Sequence, residues 1–152
     1  ETTRLTATAT VDNGTDTGTF QFQLPDGQNV NASMTFAAFE VDSILAVRNA
    51  ESDPAVMELT LIGADSLDGF KPYVLQLFIE ETDFVPGTHQ LHGFATNALL
   101  FEVDESLPGD VRSLATGASG TITINSLGSG DSAGNLNLTL DLTLEYLPGA
   151  GE

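Results

Sequence analysis

The stretch LNLTLDLTLEY, residues 136–146, constrains the fold of this chain more than any other part of the sequence. Leucine or tyrosine occupies every even position, and a polar residue occupies every odd position. Because successive side chains of a β-strand point to opposite faces, this alternation predicts a strand with one apolar and one polar face. A shift of one residue would expose all its leucines, so we expect a strongly fixed register.

The same alternation recurs along the chain, most regularly near its start, where Leu5, Ala7, Ala9 and Val11 alternate with threonines. Residues 73–80 and 98–103 are apolar on both faces, which is typical of central strands. Residues 37–56 fit a strand, a short helix or both. Strand patterns are found at residues 5–11, 20–24, 30–36, 56–63, 73–80, 98–103, 120–124 and 136–146.

About eight strands separated by turn sequences indicate an all-β antiparallel fold. We expect a β-sandwich of the immunoglobulin-like or jelly-roll-like kind. The length of 152 residues fits a single domain, 1–152. Residues 104–119 are acidic and contain Gly and Pro, which predicts a long connection. The strand at residues 120–124 begins a final hairpin, whose loop we place at residues 125–134.

The charge of the chain limits its partners. There are 22 acidic residues against 4 basic ones, which gives a formal net charge of −18. Nucleic acid and anionic membrane surfaces are therefore disfavoured, because like charges repel. No segment approaches 18 consecutive apolar residues, so we expect no membrane insertion. The chain has no cysteine, which excludes disulfides and thiolate metal ligands.

The stretch FVPGTHQLHGF, residues 84–94, holds both histidines of the chain, His89 and His92. Pro86 and Gly87 predict a turn that leads into a strand. On a strand, two residues three positions apart point to opposite faces, so we expect the histidines to be separated. A zinc site needs further ligands, and the pattern H-E-x-x-H is absent. The sequence therefore predicts neither a metal nor a catalytic base here.

Acidic loops offer a different kind of site. The loop DNGTDTG presents Asp12, Asn13 and Asp16, whose side-chain oxygens are the hard ligands that calcium prefers. This loop is the candidate calcium site of the sequence, and calcium is the only cofactor we consider. Paired acids elsewhere, such as Asp65 with Asp68, would suit a glycan hydrolase if they faced each other across a cleft. No catalytic residue is predicted.

Several short motifs in the second half of the chain resemble a family of small bacterial secreted or surface lipoprotein domains of unknown function. The stretch PGTHQL at residues 86–91 resembles the PGTYxL-like motif of that family. SGTITI at residues 119–124 resembles its second motif, and residues 134–142 resemble its final strand. The similarity covers about residues 55–145. It implies a secreted or lipid-anchored β-sandwich and brings no catalytic residue.

The N-terminal strand, residues 1–11, is a candidate for exchange between molecules. An alternating strand with small residues can complete the sheet of a neighbour by strand addition, and we assign that role to Leu5, Ala7, Ala9 and Val11. We therefore expect a non-catalytic structural or adhesive protein, extracellular or at a cell surface. In this view it is a filament subunit whose partner is another copy or a cell-surface component. The alternative is a monomeric binding module for calcium or a glycan, and a glycan hydrolase is the third class.

Overall fold

The computed structural model describes residues 1–11, 17–41, 56–65, 71–80, 83–92, 96–103, 111–127 and 136–148. Within these ranges the chain forms antiparallel β-strands, and no helix there is long and apolar enough to cross a membrane. The strands are β1 (Thr2–Val11), β2 (Thr17–Gln23), β3 (Asn29–Val41), β4 (Val56–Asp65), β5 (Lys71–Glu80), β6 (Gly87–Gln90), β7 (Asn97–Val103), β8 (Val111–Leu127) and β9 (Leu136–Tyr146).

Eight of these strands form one closed barrel. They follow the order β8-β7-β5-β4-β3-β2-β1-β9, and β9 closes the ring because it pairs with β8 as well as with β1. β6 pairs with β8 at residues 121–124, beyond the part of β8 that pairs with β7. The predicted all-β antiparallel class is confirmed. The expected sandwich differs from this structure, in which one continuous sheet closes on itself instead of two sheets packing face to face.

Register shifts help to explain the closure. The ladders are irregular at Met34/Phe36 between β3 and β4 and at Leu100/Phe101 between β7 and β8. Two further irregularities, at Gly117/Ser119 and Ile124/Ser126, lie between β8 and β9. Bulges bend a strand and increase its twist, which lets a sheet curve into a barrel. A bulge interrupts the alternation of side chains, so a pattern of period two gives no warning of it.

The interior of the barrel holds the apolar side chains that the alternation assigned to one face. In β9, the five leucines from Leu136 to Leu144 are buried, and in β1 Leu5, Ala7 and Ala9 are buried as well. In β5, which we expected to be a central strand, the inward residues are buried and the outward ones half-buried. The predicted inward faces of β1 and β9 are therefore confirmed, as is the turn at Pro86 and Gly87 that leads into β6.

β8 is longer than the sequence indicated. We expected a connection over residues 104–119, but the strand begins at Val111 and buries Leu114 and Ala115. The strand also continues to Leu127, into the stretch assigned to the hairpin loop. Gly120 lies within β8 at φ 121°, and a side chain there would meet the backbone of β9. Small residues and bulges conceal the period of this strand.

β1 pairs within its own domain. Its ladder with β9 runs from Thr2 opposite Glu145 to Val11 opposite Leu136. A second ladder joins β1 to β2. β1 therefore lies between β9 and β2 in the ring of strands.

The described residues include one lysine and two arginines, and each of these side chains is in an ion pair. Lys71 Nζ lies 3.0 Å from Glu102 Oε2, and Arg112 contacts the other oxygen of the same carboxylate, which is 7% exposed. Arg4 pairs with Asp141 on the outer surface. A buried carboxylate is costly unless it is paired, so the two cations allow Glu102 to face the interior.

Candidate metal centre

Asp83 lies between the two histidines of the chain. Its Oδ2 atom is 2.6 Å from His92 Nε2, and its Oδ1 atom is 3.7 Å from His89 Nδ1. The same nitrogen of His92 is 3.5 Å from Glu80 Oε2. Four ionisable side chains thus meet at the end of β5 beside the start of β6.

Two short segments bring these side chains together. Glu80 ends β5, and Asp83 follows in a turn in which the Val85 amide donates to the Asp83 carbonyl at 2.9 Å. β6 then carries His89, and the chain leaves the strand after Gln90. His92 forms an isolated bridge with Thr96, with its amide 3.0 Å from the Thr96 carbonyl. The turn brings Glu80 of β5 and Asp83 close to the histidines.

Thr96 ties the two acidic residues to one another. Its side chain is fully buried, and its hydroxyl donates to Asp83 Oδ2 at 2.8 Å. The same hydroxyl accepts a hydrogen bond from the Glu80 amide at 3.1 Å. One buried side chain therefore fixes the carboxylate of Asp83 relative to the backbone of Glu80.

The expectation that strand geometry separates the histidines is wrong. That argument assumed a strand from His89 through His92, whereas β6 ends at Gln90. Beyond that residue the alternation no longer holds, so His92 can approach the same carboxylate as His89. The sequence pattern shows no partner ligand for the histidines, whereas in the structure Glu80 and Asp83 lie beside His92.

The pKa of Asp83 reflects opposing effects. Partial burial raises the pKa of this carboxyl, but hydrogen bonds with His92 and Thr96, and the positive charge that either histidine can carry, lower it more. The net result is a pKa below the ordinary value of an aspartate. Asp83 is therefore held as a carboxylate, the form that binds a cation.

The backbone determines which nitrogen of His89 carries a proton. His89 Nε2 lies 2.7 Å from the carbonyl oxygen of Val85, which can only accept. Nε2 must therefore be the donor, and in the neutral ring Nδ1 keeps its lone pair. The Nδ1 atom is 3.7 Å from Asp83 Oδ1, which is also an acceptor. Nδ1 and Oδ1 are both acceptors, so a proton, a hydrogen-bond donor or a cation near them would be stabilised.

Glu80, Asp83 and His92 could together hold a metal ion. Each offers one ligand atom, and the three atoms lie within 4.8 Å of one another. His92 is 50% exposed, so water can complete the coordination. One imidazole nitrogen with two carboxylate oxygens suits zinc and similar divalent transition metals, whereas calcium takes oxygen ligands.

The sequence offered a signal for this cluster that we did not use. Glu80 and Asp83 immediately precede the turn at Pro86 and Gly87, and the histidines immediately follow it. Residues on the two sides of a tight turn lie close in space, so acids before it and histidines after it can meet. The site becomes evident in the sequence only when the acids and the histidines are considered together.

The predicted calcium ligands Asp12, Asn13 and Asp16 lie outside the described residues. Calcium at that loop stays a prediction.

The residues assigned to strand exchange lie on β1. Leu5, Ala7 and Ala9 are buried in the barrel of their own chain, and Val11 pairs with Leu136. Exchange of this strand between molecules stays a prediction as well.

Comparisons with known proteins found no matching family profile, curated protein or solved structure. The interpretation of the cluster therefore rests on its own geometry and chemistry.

Proposed function

We propose that this protein is a non-catalytic extracellular binding module that holds a divalent transition-metal ion between Glu80, Asp83 and His92. The observation that carries the proposal is the convergence of their three ligand atoms within 4.8 Å. Two carboxylates beside a neutral imidazole have a local charge of about −2, which a divalent cation neutralises. An extracellular location fits the acidic chain, which carries a net charge of −18.

The choice of metal follows from the ligands. The imidazole of His92 favours zinc over calcium, because calcium prefers oxygen alone. The hydroxyl of Thr96 already holds the ligand oxygen of Asp83 in place, so metal binding costs little conformational entropy there.

The roles assigned to the two histidines favour a binding function over a hydrolytic one. The chain contains two, and one is a ligand while the other donates to the Val85 carbonyl. No histidine is left as a separate general base. A hydrolase using paired acids remains the less supported proposal.

Isothermal titration of chelator-stripped protein with zinc, manganese and calcium chlorides tests the metal site. We expect one zinc ion per chain, bound more tightly than calcium, and a zinc dissociation constant at least tenfold higher in His92→Ala and in Asp83→Asn. Glu145→Gln is the matched control, since it removes an exposed carboxylate of β9, a strand that contributes no residue to the cluster. Absence of both heat and a thermal shift with zinc, or equal binding by His92→Ala, would reject the site.

A second candidate function, a filament subunit at a cell surface, is favoured by the position of β1. This strand joins β9 to β2, so its withdrawal would open a gap that the β1 of a neighbour fits in the same register. Electron microscopy should then show filaments of the whole chain and none when residues 1–11 are deleted. Filaments that persist after the deletion would refute strand exchange.

A further inference from the structure

One outer face of the barrel consists of hydroxyl and amide side chains from six adjacent strands, β6, β8, β9, β1, β2 and β3. Cross-strand register aligns a first row, which consists of Thr88, Thr123, Thr139, Thr8, Thr19 and Ser33. A second row lies two residues away on each strand and consists of Gln90, Thr121, Asp141, Thr6, Gln21 and Asn31. These two rows are called the polar face below, and all their members are exposed or half-buried.

The polar face is locally neutral on a chain whose net charge is −18. Its only ionisable member is Asp141, and Arg4 neutralises it through hydrogen bonds of 2.9 and 2.8 Å. Acidic residues are common elsewhere in the chain, so this neutrality is a distinguishing property of the face. Such a face suits an uncharged partner.

Many of its polar groups are already held in place. Gln21 Nε2 donates to Thr19 Oγ1 at 3.0 Å and to Asn31 Oδ1 at 3.1 Å. The Thr6 hydroxyl donates to Gln21 Oε1 at 3.3 Å. A preorganised group loses less conformational entropy on binding than a free one. Among the described residues, the Thr8 hydroxyl makes no hydrogen bond to protein, so it can donate and accept.

Two adjoining grooves follow this face. The larger, of about 610 Å³, passes Arg4, Gln21 and Asn31. The smaller, of about 250 Å³, passes Thr8 and Thr139. Thr6 and Gln21 line both grooves, so the two grooves meet. Together they form an elongated and shallow site, as a polymer would need.

We propose that the polar face binds a soluble, neutral polysaccharide. Hydroxyl and amide groups both donate and accept hydrogen bonds, which matches the hydroxyls of sugars. Neighbouring members of a row lie about 4.8 Å apart, and the two rows lie about 6.8 Å apart along the strands, so an extended chain meets a regular set of partners. Because no aromatic ring belongs to the face, each sugar is held weakly and the affinity comes from the length of the polymer.

Other occupants fit less well. The net charge of −18 repels anionic glycans. A face without apolar side chains larger than the methyl group of threonine offers little to an apolar protein surface. The rows follow the curvature of a closed barrel, so a flat crystalline lattice, such as ice or a crystalline polysaccharide, could touch only part of them.

Affinity electrophoresis through gels that contain dextran, galactomannan or xyloglucan, with alginate as the anionic control, tests the proposal. We expect at least one neutral polysaccharide to retard the protein, in the presence or absence of EDTA. The retardation should be unchanged by about 1 M salt, at which the Debye length is about 3 Å and exposed charges are screened. Insensitivity to EDTA separates this site from the metal centre.

The variant Thr8→Val/Thr19→Val/Thr139→Val removes three hydroxyls of the first row and retains β-branched side chains. We expect the dissociation constant to rise at least tenfold. Thr60→Val is the matched control, since Thr60 is half-buried on the outer side of β4, away from the polar face. It should bind like the unmodified protein.

If the triple variant does not fold, the site can be located in the unmodified protein by the NMR shifts that the retarding polysaccharide causes. Shifts concentrated in β1, β2 and β9 would support the proposal. It is overturned if no neutral polysaccharide retards the protein, if only alginate does, if the folded triple variant binds as before, or if the shifts lie elsewhere.

Discussion

Arg4 donates two hydrogen bonds to Asp141, although the residue directly opposite Arg4 in the β1–β9 ladder is Thr143. The pair is diagonal across the seam between the first and last strands. The hydrogen bond and charge of Asp141 raise the pKa of Arg4, and Arg4 in turn lowers the pKa of Asp141. Both side chains are more than half exposed, at 71% and 53%. The carboxylate of Glu102, in contrast, is buried and pairs with both Lys71 and Arg112.

Replacing the buried carboxylate should cost far more stability than replacing the exposed one. We expect Glu102→Gln to lower the free energy of unfolding by about 3 kcal/mol, because it removes the carboxylate that both cations face in a desolvated setting. Asp141→Asn should cause no resolvable change, because solvent screens an exposed ion pair. Urea unfolding followed by circular dichroism measures both. Equal losses in the two variants would contradict the assigned burial.

Alanine substitutions at two glycines with positive φ distinguish the effect of steric crowding from that of backbone strain. At Gly120, φ 121°, an added Cβ would lie 2.7 Å from the Cα of Leu142, and closer still to the Asp141 carbonyl oxygen. At Gly27, φ 92°, nothing lies within 4 Å. We expect Gly27→Ala to cost about 1 kcal/mol from the backbone alone. Gly120→Ala should cost roughly 2 to 4 kcal/mol, since overpacking adds to the strain.

The same urea measurement distinguishes the two glycines. If Gly120→Ala proved no more harmful than Gly27→Ala, the close approach of β8 to β9 would be wrong.

Asp83 should make the stability of the protein sensitive to acid. A carboxylate whose folded pKa lies below its unfolded pKa, about 3.9, stabilises the fold above that unfolded value. This contribution is lost as the pH falls through the folded value. We therefore expect the difference in unfolding free energy between the unmodified protein and Asp83→Asn to shrink from about pH 5 to pH 3. Chemical denaturation at each pH measures it, and a constant difference would contradict the lowered pKa of Asp83.

The hydroxyl of Thr96 should matter more than its methyl group. Thr96→Val leaves the Glu80 amide and Asp83 Oδ2 without this buried partner, and we expect a loss of about 1 to 3 kcal/mol in stability. Thr96→Ser keeps the hydroxyl and serves as the matched control. We also expect weaker zinc binding in Thr96→Val, since the ligand oxygen of Asp83 is no longer positioned. Indistinguishable stabilities of the two variants would refute this role.

The sequence was informative where side chains alternate without interruption. In β1 and β9 an unbroken period of two gave the inward residues, and Pro86 with Gly87 gave the turn before β6. It was least informative in β8, where small residues and bulges hide the period. Closure of the sheet depends on pairing between β8 and β9 along their length, and no local pattern distinguishes a closed ring from two facing sheets.

The metal centre shows a related limit. Glu80, Asp83 and His92 come from both sides of a turn, and their convergence depends on where β6 ends. A rule for regular strands placed His89 and His92 on opposite faces, because it could not tell that the strand stops between them. Thr96, which holds the acids together, was not distinguishable from the other threonines of the chain.

Closure through β1 and β9 also imposes an order of events on folding. Arg4 and Asp141, which meet across this seam, are 137 positions apart, and such distant pairings are slow to form. At about 5 to 20 residues per second of synthesis, β1 must wait roughly 7 to 27 seconds for its partner. Until then the nascent sheet has open edges that another chain could occupy. The net charge of −18 keeps those chains apart during the interval, so the acidity of the sequence protects the protein before it is folded as well as afterwards.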